Sequence, residues 1–139
     1  MAVPVGAFVA NAKFAKAMEP GDHGSTYGGN PLVTAAVSTV FDILKKDSIV
    51  ENCKEVSEYL LEELDKVVKD YDCVVGHRGL GLMQGIVLNV PAKKYVQALL
   101  DEGVIVVTAG EKVIRLLPPL VITKGHVDEF ITKLRKVLG

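Results

Sequence analysis

The run Gly21-Asp22-His23-Gly24-Ser25-Thr26-Tyr27-Gly28-Gly29-Asn30-Pro31 places two adjacent hydroxyls among four glycines, directly before a candidate helix. Glycines let the backbone turn tightly and approach a ligand. Hydroxyls donate hydrogen bonds, and a helix start adds free N–H groups and the positive end of its dipole. This is the composition of an anion cradle, and a phosphate group suits it. On spacing alone, a Gly/Ser-rich turn that merely caps the next helix accounts for the same residues equally well. Arg115 is the second candidate. It lies between Ile114 and Leu116 on a strand-like run, where an unpaired buried guanidinium is costly, so a carboxylate partner is implied. A structural salt bridge, or a strand edge with Arg115 facing solvent, is the plainer alternative.

Other reactive side chains carry less. Lys13 and Lys16 are spaced by about one helical turn on a polar face, the pattern of solvated lysines. Arg78, among glycines, reads as a bend at a strand entry without direct chemistry, and His23 as a hydrogen-bonded loop spacer. His23, His77 and His126 are scattered, with no metal-ligand spacing to one another or to a cysteine, so no metal site is expected. Cys53 and Cys73 form no paired motif, and Cys53 falls on a helical apolar stripe, which makes it a candidate buried thiol. No secretory leader or transmembrane run is legible, and a reducing cytoplasm fits best. The chain has 139 residues, a net charge of −1 and 49% apolar residues. That is one domain's worth of chain, without the basic excess that nucleic acid or an anionic membrane would require.

The elements that must position these groups follow from periodicity and punctuation. Residues 5–10 are apolar and β-rich, which predicts a strand, and a short helical stretch begins at Asn11 and is broken by Pro20-Gly21. Asn30 as N-cap with Pro31 at the first helical position predicts a helix to about Lys46. That helix is apolar on more than one stripe and is therefore expected to be enclosed on most sides. Ser48-Ile49-Val50-Glu51 reads as a capping box, opening a helix whose Ile49, Cys53, Val56, Leu60, Leu64 and Val67 share a face. An extended region begins at Cys73, followed by strand candidates at 86–90, 104–107 and 113–117. Between the first two lies a helix over 92–102, closed by Gly103. A last helix, N-capped by Thr123, buries Val127, Phe130, Ile131, Leu134 and Leu138. Helices alternating with about three strands make a two-layer α/β sandwich, with the first 47 residues as an extension.

The glycine loop resembles, nearly letter for letter, the loop with which class III pyridoxal-phosphate aminotransferases hold the phosphate of their cofactor. Arg78-Gly79-Leu80-Gly81-Leu82-Met83, Val113-Ile114-Arg115-Leu116-Leu117-Pro118-Pro119-Leu120 and the closing helix are similar to further stretches of the same family. Val3-Pro4-Val5-Gly6-Ala7-Phe8-Val9-Ala10 looks like the segment a few residues after the family's cofactor-bonding lysine. The resemblance therefore places that lysine upstream and leaves no catalytic residue here.

It implies that residues 1–47 are the end of the large cofactor-binding domain and 48–139 the C-terminal small domain of a fold-type I enzyme. Ser25 and Thr26 would reach the phosphate of pyridoxal 5′-phosphate in a neighbouring subunit of a homo-oligomer, and Arg115 would clamp a substrate α-carboxylate. The implied reaction moves an amino group from an ornithine-type substrate, N-acetylornithine above all, to 2-oxoglutarate in arginine biosynthesis. The small-molecule amino acid and 2-oxo acid are then the partners, with no nucleic acid and no membrane. This chain alone is expected to be inactive and not to retain the cofactor. The rival reading is a non-catalytic α/β module that binds a small anion or another protein.

Overall fold

The computed structural model describes residues 3–139. The chain divides into two compact units, one ending at Asp47 and the other spanning Ser48–Gly139.

The first unit holds helices α1 (Ala12–Ala15) and α2 (Pro31–Lys46). Asn11 caps α1 by accepting from the amides of Lys13 (3.1 Å) and Phe14 (3.2 Å). Pro20 and Gly21 occupy the centre of a turn closed by the Asp22 amide on the Glu19 carbonyl (3.1 Å), with Gly21 at φ +106°. Proline followed by a positive-φ glycine is the type II preference. The strand expected over residues 5–10 is not formed. A strand exists through a partner's ladder, and none of the described residues of this unit offers one. Nor is α2 enclosed: none of its residues is buried, and Leu32 and Phe41 are 76% and 60% exposed.

The second unit is a four-stranded antiparallel sheet with helices on one face. Its elements are α3 (Ile49–Asp70), β1 (Val74–Leu80), β2 (Met83–Leu88), α4 (Lys93–Asp101), β3 (Val107–Thr108), β4 (Val113–Leu116) and α5 (Lys124–Leu138), in sheet order β1-β2-β4-β3. Val56, Leu60, Leu64 and Val67 of α3 meet Ile86, Leu88, Ile114 and Leu116 of the sheet and Val127, Ile131 and Leu134 of α5 in one core. The two-layer α/β architecture is therefore present, with four strands where three were expected. The additional strand is β1, whose glycines read as punctuation. Gly81 (φ +55°) and Leu82 form the two-residue turn joining β1 to β2, closed by the Leu80–Met83 pair, and glycine at the first central position is what a tight hairpin favours.

Three local expectations are corrected. Ser48 sits at φ +50°, ψ +40°, and its side chain makes no capping bond. A left-handed residue departs from the extended backbone from which an N-cap hydroxyl reaches the next turn, so Ser48-x-x-Glu51 forms no capping box. The strand expected over 104–107 starts only at Val107. The Val104 amide is used instead on the Leu99 carbonyl (2.8 Å), beside Gly103 on Leu100 (2.9 Å), the paired bonds of a Schellman cap with Gly103 at φ +80°. Cys53 is half-buried rather than buried. Its thiol donates to the Leu120 carbonyl (3.4 Å), while the Asn52 amide donates to Leu120 and Ile122 (3.0 and 3.1 Å). Together they pin the segment that follows β4. Thr123 caps α5 with His126 in the position usually held by a glutamate: the Thr123 amide donates to His126 Nδ1 (3.1 Å).

Candidate functional site

The glycine loop is shaped by its own turns. The Gly28 amide donates to the Ser25 carbonyl (3.3 Å), Gly29 takes φ +66°, and Asn30 holds both sides of the junction. Its Nδ2 donates to the Tyr27 carbonyl (2.8 Å), and its Oδ1 accepts from the Val33 amide (3.1 Å) to cap α2. A Cβ on Gly28 would lie 2.6 Å from Ser25 Oγ, so a larger residue there would turn the serine hydroxyl out of its present position. Ser25 and Thr26 are exposed, and neither hydroxyl is bonded to another of the described residues. Two adjacent donors at the mouth of a capped, proline-led helix suit a phosphate, which is the part of pyridoxal phosphate that such a loop would hold. His23 takes no hydrogen bond among the described residues. Its ring stands edge-to-face with Phe8 at 5.6 Å, where the sequence suggested a hydrogen-bonded spacer.

Arg115 belongs to the second unit. On β4 it is paired with Gly85 of β2 and Val107 of β3, so it lies on an interior strand and not at an edge. Ile114 and Leu116 are buried on the helix side (0% and 6% exposed), and Arg115, one residue out of phase, is exposed on the opposite face. The premise of a buried charge therefore fails, because the strand's two-residue period carries Arg115 away from the core. Among the described residues no acid lies within ion-pair distance of it. The guanidinium is thus a free planar fork on an open sheet face, able to meet a carboxylate bidentately.

Elsewhere, His77 on β1 bonds Asp65 of α3 through Nε2 (2.9 Å), a link between sheet and helix. Lys13 lies 5.7 Å over the Phe14 ring on α1. Among the described residues, no three His, Cys, Asp or Glu side chains converge on a point where a metal ion would bind, and no helix is long and apolar enough to cross a membrane. An apolar groove of about 370 Å³ runs between α3, α5 and residues 104–106 and 116–119 of the second unit. Sequence periodicity could not have shown it, since its walls come from separate elements.

The first unit thus carries a glycine loop with two unengaged hydroxyls before a capped helix, and the second is a small antiparallel α/β unit with an unpaired arginine among its described residues. The chain belongs to the class-III aminotransferase family, whose model matches residues 2–138, and class III aminotransferases are pyridoxal-phosphate enzymes. It is 47% identical over 135 residues to the acetylornithine aminotransferase of Streptococcus mutans, covering 97% of this chain and 36% of that protein. With the ornithine aminotransferase of Staphylococcus carnosus it shares 37% identity, covering 99% of this chain and 34% of that protein. Among solved structures, the acetylornithine aminotransferase of Elizabethkingia anophelis superposes with a TM-score of 0.83 at 28% identity, covering 94% of this chain and 34% of that one. The ornithine aminotransferase of Plasmodium yoelii gives 0.85 at 34% identity, covering 94% and 35%. The chain therefore spans about a third of the length of the relatives it matches.

Proposed function

We propose that this chain supplies the phosphate cup and the carboxylate clamp of an acetylornithine- or ornithine-type aminotransferase that passes the amino group to 2-oxoglutarate in arginine biosynthesis. The observation that carries the proposal is the pair of unengaged recognition groups: the Ser25 and Thr26 hydroxyls on the glycine loop and the unpaired Arg115 on the open sheet face. The first unit is the end of the cofactor-binding domain and the second is the small domain. Pyridoxal phosphate, when bound, supplies the electron sink that makes amino transfer feasible. Ser25 and Thr26 orient it by donating to its phosphate, from one subunit of a cytoplasmic homodimer into the site of the other. Arg115 holds the substrate carboxylate so that the reacting amine is presented in one pose. Neither duty forms the covalent link to the cofactor or holds its ring nitrogen, so the isolated 139-residue chain is expected to turn nothing over.

Two substitutions, made in an enzyme of full family length carrying this segment, test the division of labour. Thr26→Val removes one charge-assisted hydrogen bond, about 1.5–3 kcal/mol, and is expected to weaken cofactor affinity roughly tenfold to a hundredfold. Arg115→Ala is expected to cost on the order of 2–5 kcal/mol in kcat/KM for the amino acid while leaving cofactor retention unchanged. If Arg115→Ala instead kept kcat/KM within about threefold, less than a single charged hydrogen bond is worth, and lowered Tm, Arg115 would be a structural residue. Measurable conversion of N-acetylornithine with 2-oxoglutarate by the purified 139-residue chain would refute its inactivity.

A further inference from the structure

The loop that carries Ser25 and Thr26 is fixed at both ends by local bonds. At its start, Asp22 Oδ2 accepts from the Glu19 amide (2.7 Å) while the Asp22 amide closes the turn on the Glu19 carbonyl (3.1 Å). At its end, Asn30 ties Tyr27 to the first turn of α2. Each of these bonds joins residues three apart. They therefore shape the turns without fixing where the stretch between them stands. With glycines at 21, 24, 28 and 29, that stretch has many backbone arrangements open to it.

His23 supplies the contact of longer range. Its ring meets Phe8, on the segment before α1, at 5.6 Å between centroids with the planes at 67°. In that geometry the electropositive edge of one ring faces the electronegative face of the other. His23 makes no hydrogen bond among the described residues, so the imidazole is engaged there through its ring. Ser25 and Thr26 follow two and three positions later, and their unengaged hydroxyls go wherever the backbone carries them. Hydrogen bonds to a phosphate weaken steeply when the donor is misaligned. A loop ordered before the anion arrives also avoids the entropy cost of being ordered by it.

We propose that His23 is a positioning residue for the phosphate cup. By packing edge-to-face on Phe8 it holds the glycine loop where the Ser25 and Thr26 donors converge on a phosphate, and it does so as an aromatic ring, without donating or accepting a hydrogen bond. The proposal rests on Ser25 and Thr26 forming that cup, and its test separates the two. The full 139-residue chain, labelled with ¹³C and ¹⁵N, is titrated with inorganic phosphate at low ionic strength and constant pH while the amide resonances of residues 24–29 are followed. Proton–proton NOEs between the rings at positions 8 and 23 are measured in the same sample.

The parent is expected to show those NOEs, with phosphate moving the Ser25 and Thr26 amides along one binding curve. His23→Ala is expected to weaken phosphate affinity about threefold to tenfold, the range to which the worth of one aromatic pair converts. His23→Phe, which keeps a ring, should bind within about twofold of the parent, whereas His23→Asn, which keeps only hydrogen-bonding capacity, should fall with alanine. Phe8→Ala removes the other half of the contact and should give the same loss, with no further loss when combined with His23→Ala. Unchanged resonances for residues 48–139 in every variant would separate lost positioning from general unfolding, and Phe8→Ala reads the contact should a His23 variant fail to fold. Parent-like affinity in Phe8→Ala, or rescue by asparagine but not by phenylalanine, would overturn the ring role while leaving Ser25 and Thr26 in the cup. Phosphate moving neither amide in the parent would overturn both.

Discussion

Arg115 is exposed between two buried neighbours, and the cost expected of a charge in that context does not arise. Its availability rests on there being no acid within ion-pair distance among the described residues, which linear order does not report. Tyr59 shows the opposite case, a polar group fully committed. Its hydroxyl donates to Asp128 Oδ1 (2.6 Å), tying α3 to α5, and that bond first, then desolvation, raises its pKa to about 12. The folded value lies above the ordinary phenol value of about 10. The link therefore contributes fully below about pH 10, neutral pH included, and is lost as pH rises through about 12. In an ultraviolet titration of phenolate absorbance, Tyr59 is expected to ionise above the ordinary range, and Asp128→Asn should return it there. A single common midpoint near 10 for all four tyrosines would show that the Asp128 bond does not form in solution.

At the scale of elements, glycine serves two opposite purposes in one hairpin. Gly81 turns it, while Gly79 makes room within β1: a Cβ there would lie 2.0 Å from the Met83 carbonyl oxygen and 2.7 Å from Gln84 Oε1. Gln84 is 2% exposed and folds back to donate to the Gly81 carbonyl (2.7 Å). Neither obstacle yields easily, since one is ladder backbone and the other a buried amide. Gly79→Ala is thus expected to destabilise the second unit by about 1–3 kcal/mol, the cost of overpacking, read as a lower denaturant midpoint at unchanged m-value. An unchanged midpoint would mean that the hairpin relaxes freely. The link from this element to the site is direct, because β2 carries the register on which Arg115 is set.

At the scale of the whole molecule, the two units differ in what they bury. The second has a continuous core, whereas no described residue of the first is buried, and Phe8, Phe14, Leu32 and Phe41 are each 60% exposed or more. Apolar area of that kind is associated with an interface. The isolated chain is expected to self-associate at micromolar concentration in sedimentation velocity, and Leu32→Glu with Phe41→Glu should shift it toward monomer. A clean monomer for the unmodified chain would count against the homo-oligomer in the proposed function.

By itself the sequence determined whatever depends on neighbours along the chain. Asn30 and Pro31 open α2, Gly103 ends α4 through its positive φ, and the three- and four-residue spacing on α3 selects Val56, Leu60, Leu64 and Val67 for the core. Ser25 and Thr26 are legible as candidate donors because hydroxyls between glycines need no distant partner to be noticed. Only the tertiary structure decided what depends on partners across space. Residues 5–10 have β composition but no ladder to join among the described residues, and Ser48 has a capping sequence but a left-handed backbone. β1 is a strand despite its glycines because β2 pairs with it, and Arg78 shares a face with Arg115 through a register that passes through Gly85. Propensity is a property of a residue and its neighbours, while pairing, burial and charge compensation are properties of surfaces brought together by folding.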